Sequence, residues 1–119
     1  MSRVLMVLVA TGCLFGASMA KADPVGGKVD LYDVVKARGW VSYKLSLYGG
    51  ETTRIRVNGD GGTELSLLVY DENGNLVKTD ILRASDDREV LVTPKWTGTF
   101  TIKIVNLGYV SNRYQLRID

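Results

Sequence analysis

Leu65-Ser66-Leu67-Leu68-Val69-Tyr70-Asp71-Glu72-Asn73-Gly74-Asn75-Leu76-Val77 is the stretch that decides the fold class. Leu65, Leu67 and Val69 recur with period two, the spacing of a strand with one buried face. Leu68 and Tyr70 keep the opposite face partly apolar, which predicts a central strand over residues 64–70. Asn73-Gly74 is the strongest short hairpin signal in the chain and predicts a primed turn into a second strand over residues 75–79.

The same alternation continues outward in both directions. Upstream, residues 40–48 set Val41, Tyr43, Leu45 and Leu47 against Ser42, Lys44 and Ser46, and residues 52–57 set Thr53, Ile55 and Val57 against Thr52, Arg54 and Arg56. Gly49-Gly50-Glu51 and Asn58-Gly59-Asp60-Gly61-Gly62 separate these runs as turn and loop. Downstream, residues 89–93 form a short strand that stops at Pro94, residues 99–106 alternate on Phe100, Ile102 and Ile104, and residues 113–119 alternate on Tyr114, Leu116 and Ile118. Residues 30–36 read as an edge strand or a short turn, and no helical periodicity follows Gly39. Short strands at about ten-residue spacing, without linker or repeat, predict one all-β domain: an antiparallel, jelly-roll-like β-sandwich of seven to eight strands.

The N-terminal segment reads differently. Arg3 precedes an apolar run that starts at Val4 and reaches about Ala17, and Ser18-Met19-Ala20-Lys21-Ala22 offers small residues for a cut. This is the layout of a secretory signal peptide, cleaved after Ala22 or Ala20. The expectation is a signal over residues 1–22, a single domain over residues 23–119, and a secreted or periplasmic location. Membrane association follows only if the segment stays uncleaved.

Composition narrows the chemistry. The 119-residue chain has no His, and its single cysteine, Cys13, falls in the expected signal. Residues 23–119 therefore form no disulfide, and nucleophilic triads built on His or Cys are excluded there. The formal charge of +2 reflects 15 basic against 13 acidic residues, and loss of Arg3 and Lys21 with the signal balances the two. With no long basic run, nucleic acid is not an expected partner.

In order, the chain presents a strand with Trp40 to Leu47, a Gly-Gly-Glu turn, a strand from Thr52 to Val57, a Gly/Asp loop, the Leu-x-Val-Tyr-Asp-x-Asn-Gly-Asn hairpin, then Thr93-Pro94 and Thr97-Gly98-Thr99-Phe100. This order resembles the bacterial pre-peptidase C-terminal domain, a secreted jelly-roll β-sandwich related to the collagen-binding domains of clostridial collagenases. The resemblance covers about residues 30–119 and implies the same fold. The family's Asp-x-Asp-Leu pattern has Glu64 and Ser66 at its acidic positions here, and only Asp30 and Asp33 precede the first clear strand, so calcium and collagen binding are not carried over.

Three sets of candidate residues follow from the residues themselves. The acidic cluster Asp86, Asp87 and Glu89, beside Arg83 and Arg88, reads as a solvated loop rather than an active site. Asp71, Asn73 and Asn75 have the alternate oxygens that open a calcium loop, but Leu76 and Leu82 occupy positions where that loop requires Gly and Glu. With the second oxygen-rich loop close by, Asp60, Glu64 and Asp71 would form the candidate calcium site. Among the aromatics, Tyr43, Phe100 and Tyr114 fall on inward faces, whereas Trp40, Tyr48, Trp96 and Tyr109 lie at strand ends or in loops. Aromatics so placed stack sugars or anchor a protein partner, or else cap the core. The functional expectation is a non-enzymatic binding or accessory module for a protein or glycan surface. The alternative is an envelope protein that self-associates or stabilises a partner, and a small hydrolase ranks last.

Overall fold

A computed structural model describes residues 4–11, as backbone, together with 28–80 and 86–119. The expected cut after Ala20 or Ala22, and also Cys13, Leu82, Arg83 and Ser85, lie outside the described residues. Nine strands are present among them: β1 (Val4–Thr11), β2 (Val29–Val35), β3 (Trp40–Leu47), β4 (Thr53–Asn58), β5 (Leu65–Tyr70), β6 (Leu76–Asp80), β7 (Asp87–Val92), β8 (Gly98–Asn106) and β9 (Asn112–Ile118). No described residue is helical.

Strands β2 to β9 make two antiparallel layers. One runs β3-β8-β5-β6 and the other β2-β9-β4-β7, and β1 adds to the first layer along the outer edge of β3. Sequence neighbours mostly lie in opposite layers, which is the interleaved order of a jelly roll. The ambiguous stretch at residues 30–36 is strand β2, at the edge of its sheet, and β5 lies between β8 and β6 as its two partly apolar faces predict.

The period-two pattern points where the sequence requires. Val41, Tyr43, Leu45 and Leu47 from β3, Leu65, Leu67 and Val69 from β5, and Phe100, Ile102 and Ile104 from β8 face Ile55, Val57, Tyr114, Leu116 and Ile118 of the other sheet, all buried. Two polar links cross this interior. The Tyr43 hydroxyl is hydrogen-bonded to that of Tyr114, and Asp33 of β2 accepts from it at 3.5 Å. Burial pushes the Tyr43 hydroxyl well above the ordinary tyrosine range, so it stays protonated.

The second link corrects an expectation. Strand β7 begins at Asp87, two residues before the expected strand at 89, so Asp87 and Arg88 are not in a solvated loop, and alternation turns Arg88 inward, its side chain fully buried. Arg88 Nε donates to the Leu65 carbonyl at 2.7 Å and Nη1 to Asp80 Oδ1 at 3.2 Å, while Nη2 lies 3.8 Å from Glu64 Oε2. The charge is thus matched where it is buried, and it joins β7 to the facing sheet.

The hairpin turn also differs from the expectation. Gly74 has φ +83° but Asn73 does not have positive φ, as a primed Asn-Gly turn would require. Instead the Gly74 N–H donates to the Asp71 carbonyl, and the Asp71 N–H to the Asn75 carbonyl. The Asp71 carboxylate accepts from the backbone N–H groups of Asn73 and Asn75, each at 2.9 Å. This side-chain acceptor stabilises a wider loop and displaces the two-residue solution.

Candidate functional site

The fold divides the seven candidate residues between the two ends of the sandwich. β8 runs from Gly98 to Asn106, so the ends are separated by roughly 27 Å at ~3.4 Å per residue. Leu47 pairs with Gly98 and Tyr70 with Thr101, which places Tyr48, Trp96 and Asp71 at one end. Trp40 pairs with Val105 and Leu65 with Asn106, which places Trp40, Glu64, Asp60 and Tyr109 at the other.

The candidate calcium site is not brought together, because Asp71 stands at the opposite end of β5 from Glu64 and Asp60. Each carboxylate is also engaged locally. Asp60 accepts from the backbone N–H groups of Arg113 at 3.0 Å and Gly62 at 2.8 Å, and these bonds, Arg113 first, hold its carboxyl below the usual range. Asp71 is lowered chiefly by the Asn75 N–H. Glu64 lies against Arg88. Among the described residues, no three acidic, His or Cys side chains are grouped as metal ligands. Loops rich in oxygen were the sequence signal, but the oxygens serve the loops' own N–H groups.

The four aromatics separate in the same way. At the far end, Lys103 Nζ sits 4.7 Å from the Trp40 ring centroid, and Arg38 lies 5.3 Å over the ring of Tyr109, which is 84% exposed. Each ring there already carries a cation on one face. Tyr48 is half-buried.

Trp96 is placed differently: it is 77% exposed, so it is not a cap on the core. Its loop is nevertheless firmly held. The Gly50 N–H donates to the Pro94 carbonyl at 2.7 Å, and the Gly49 N–H to Thr97 Oγ1 at 2.9 Å. A Cβ on Gly49 would stand 2.9 Å from the backbone of Lys95, Trp96 and Thr97, so only glycine permits this approach.

Beside Trp96 a cleft of about 430 Å³ opens between the β5–β6 hairpin and the β7–β8 loop. Phe100 and Val92 form its apolar floor, Val77 and Trp96 its exposed apolar walls, and Glu72, Lys78 and Lys95 its polar rim. A shallower hollow shares Asp71 and Glu72 and extends past Lys44, Tyr70 and Thr99 along the outer face of the sheet. The sequence reading missed Glu72, Lys78 and Lys95, since no local pattern distinguishes them from other surface charges. An aromatic platform with donors and acceptors at its margin can take an amphipathic ligand, one face apolar and its edge polar.

No protein-family profile and no curated protein sequence matches the chain. Similarity appears in three dimensions. The pre-peptidase C-terminal domain of a collagenase from Bacillus anthracis superposes with a TM-score of 0.62 over 77% of this chain and 89% of that one, at 10% identity. The Yersinia pseudotuberculosis-derived mitogen superposes with a TM-score of 0.56 over 77% and 84%, at 12% identity. The chain is therefore similar in fold to the pre-peptidase C-terminal domain, in agreement with the order of strands and turns along its sequence.

Proposed function

We propose that this domain is a secreted or periplasmic, non-enzymatic binding module that takes a glycan at the Trp96 cleft once residues 1–22 have been removed. The observation that carries the reading is Trp96 itself, exposed at the rim of a cleft yet mounted on a loop pinned by Gly49 and Gly50. A rigid indole offers its face to the C–H side of a sugar ring at little entropic cost. Glu72, Lys78 and Lys95 supply an acceptor and donors for ring hydroxyls.

The test is binding to a glycan array by wild type, Trp96→Ala and Trp40→Ala. The expected result is a loss of at least about tenfold for Trp96→Ala with Trp40→Ala unchanged, a difference of ~1.4 kcal/mol or more. Equal binding by wild type and Trp96→Ala refutes the reading.

A second reading, self-association, is favoured by one observation. β1 pairs along the edge of β3, with Val4 opposite Leu47 and Thr11 opposite Ser42. Removing residues 1–22 leaves that edge open to another strand. Sedimentation of residues 23–119 tests it, a concentration-dependent dimer being the expected result and a monomer throughout the refuting one.

A further inference from the structure

The outer face of the β2-β9-β4-β7 sheet carries a pairing that strand registers normally avoid. Arg56 of β4 and Arg117 of β9 are directly opposite each other on the same face. Like charges in this position are destabilising. The pair is also poorly neutralised. Arg56 Nη2 meets Asp119 Oδ2 at 3.5 Å, and Asp119 Oδ1 has no hydrogen-bond partner. Arg117 Nη2 donates to the amide oxygen of Asn58 at 2.9 Å, and among the described residues no carboxylate lies within ion-pair distance of it. The Nε atoms of both arginines are shielded from solvent and have no acceptor.

The neighbouring acids are engaged elsewhere or stand off. Asp30, opposite Arg117 on β2, accepts from Gln115 Nε2 at 2.8 Å, and Asp87 accepts from Asn58 Nδ2 at 3.1 Å. Glu89 is opposite Arg56 on β7 without an ion pair between them. Next to the arginine row, Tyr32, 70% exposed, stands opposite Gln115, which is opposite Asn58. Two guanidinium groups, two amides and a ring therefore share one flat face.

We propose that this face binds an anionic polysaccharide, with a sugar-borne carboxylate or sulfate bridging Arg56 and Arg117 and a sugar ring against Tyr32. An anion between the guanidinium groups offsets the like-charge cost and accepts from their Nη N–H groups. The amide oxygen of Gln115 can accept from a sugar hydroxyl, and the exposed tyrosine is placed to stack. The site shares no residue with the Trp96 cleft and does not depend on it.

Isothermal titration at low ionic strength with polygalacturonate, dextran sulfate and neutral dextran tests the assignment, with polyglutamate as the acidic peptide. Wild type binds polygalacturonate or dextran sulfate, whichever anion the sugar must carry, and neither dextran nor polyglutamate. Binding weakens as salt rises. Arg56→Gln/Arg117→Gln lowers the affinity by roughly tenfold or more, while Trp96→Ala leaves it unchanged. The melting temperature of Arg117→Gln does not fall, because the repulsion is relieved. Absence of binding to either polyanion, full affinity in the double variant, equal binding to polyglutamate, or a lower melting temperature for Arg117→Gln overturns the proposal.

Discussion

Trp96→Ala separates a binding platform from a core cap, and the structure sets the size of each outcome. With 77% of the residue exposed, about a quarter of its surface is covered. For a side chain that can bury up to ~250 Å², that is on the order of 60 Å². At ~25 cal/mol per Å² the lost burial is about 1.5 kcal/mol, an upper bound because the unfolded chain also hides some of that area. A buried aromatic such as Phe100 is expected to cost ~3–5 kcal/mol on truncation to alanine. Thermal or urea unfolding of wild type, Trp96→Ala and Phe100→Ala, followed by circular dichroism, gives the stability difference, and titration with a glycan from the array gives the affinity. Trp96→Ala should cost under about 1.5 kcal/mol of stability and at least ~1.4 kcal/mol of binding. A stability loss of ~3 kcal/mol or more would make Trp96 part of the core and refute the reasoning.

Other outcomes follow from the interior and the loops. Arg88→Ala removes the cation paired with Asp80 and an N–H donor to the Leu65 carbonyl, leaving Asp80 only the Glu89 N–H, and is expected to cost about 3 kcal/mol. Double-mutant cycles with Asp80→Ala should show coupling above ~0.5 kcal/mol, and additive losses would count against the link. Asp60 has a depressed carboxyl pKa, so its contribution is present above the unfolded value and is lost as pH falls through the folded one. Melting temperatures measured below about pH 4 should therefore fall more steeply for wild type than for Asp60→Asn, and parallel profiles would contradict that. Residues 23–119 should fold without the leading segment, with a cooperative unfolding transition and a β-sheet spectrum, because β2–β5 and β7–β9 between them supply a contiguous buried apolar core. An unfolded spectrum for that fragment would show that β1 is required.

The chain itself determined the fold class through a local rule. In a strand, alternate side chains must face opposite sides, so Leu65-Ser66-Leu67 or Tyr114-Gln115-Leu116 announces a one-sided buried strand wherever it occurs. The same rule would have placed Arg88 inward, on the face of Val90 and Val92, had the strand read over residues 89–93 been extended back to Asp87, but the charged residues before Val90 conceal where the alternation begins. The turn at Asn73-Gly74 was legible as a hairpin and not in its geometry, because the Asp71 carboxylate selects among turns that the dipeptide alone allows. Separation along the chain carries no information about which end of the sandwich a loop occupies. Trp96 and Tyr48 are brought to one end by the pairing of Gly98 with Leu47, and Asp71 is parted from Asp60 by the length of β5. The register that sets Arg56 opposite Arg117 belongs to strands more than fifty residues apart in sequence, joined by hydrogen bonds that form only when both sheets close over the core. Periodicity is a property of neighbours along the chain, whereas a binding surface is a property of neighbours across it, and only the tertiary structure decides the second.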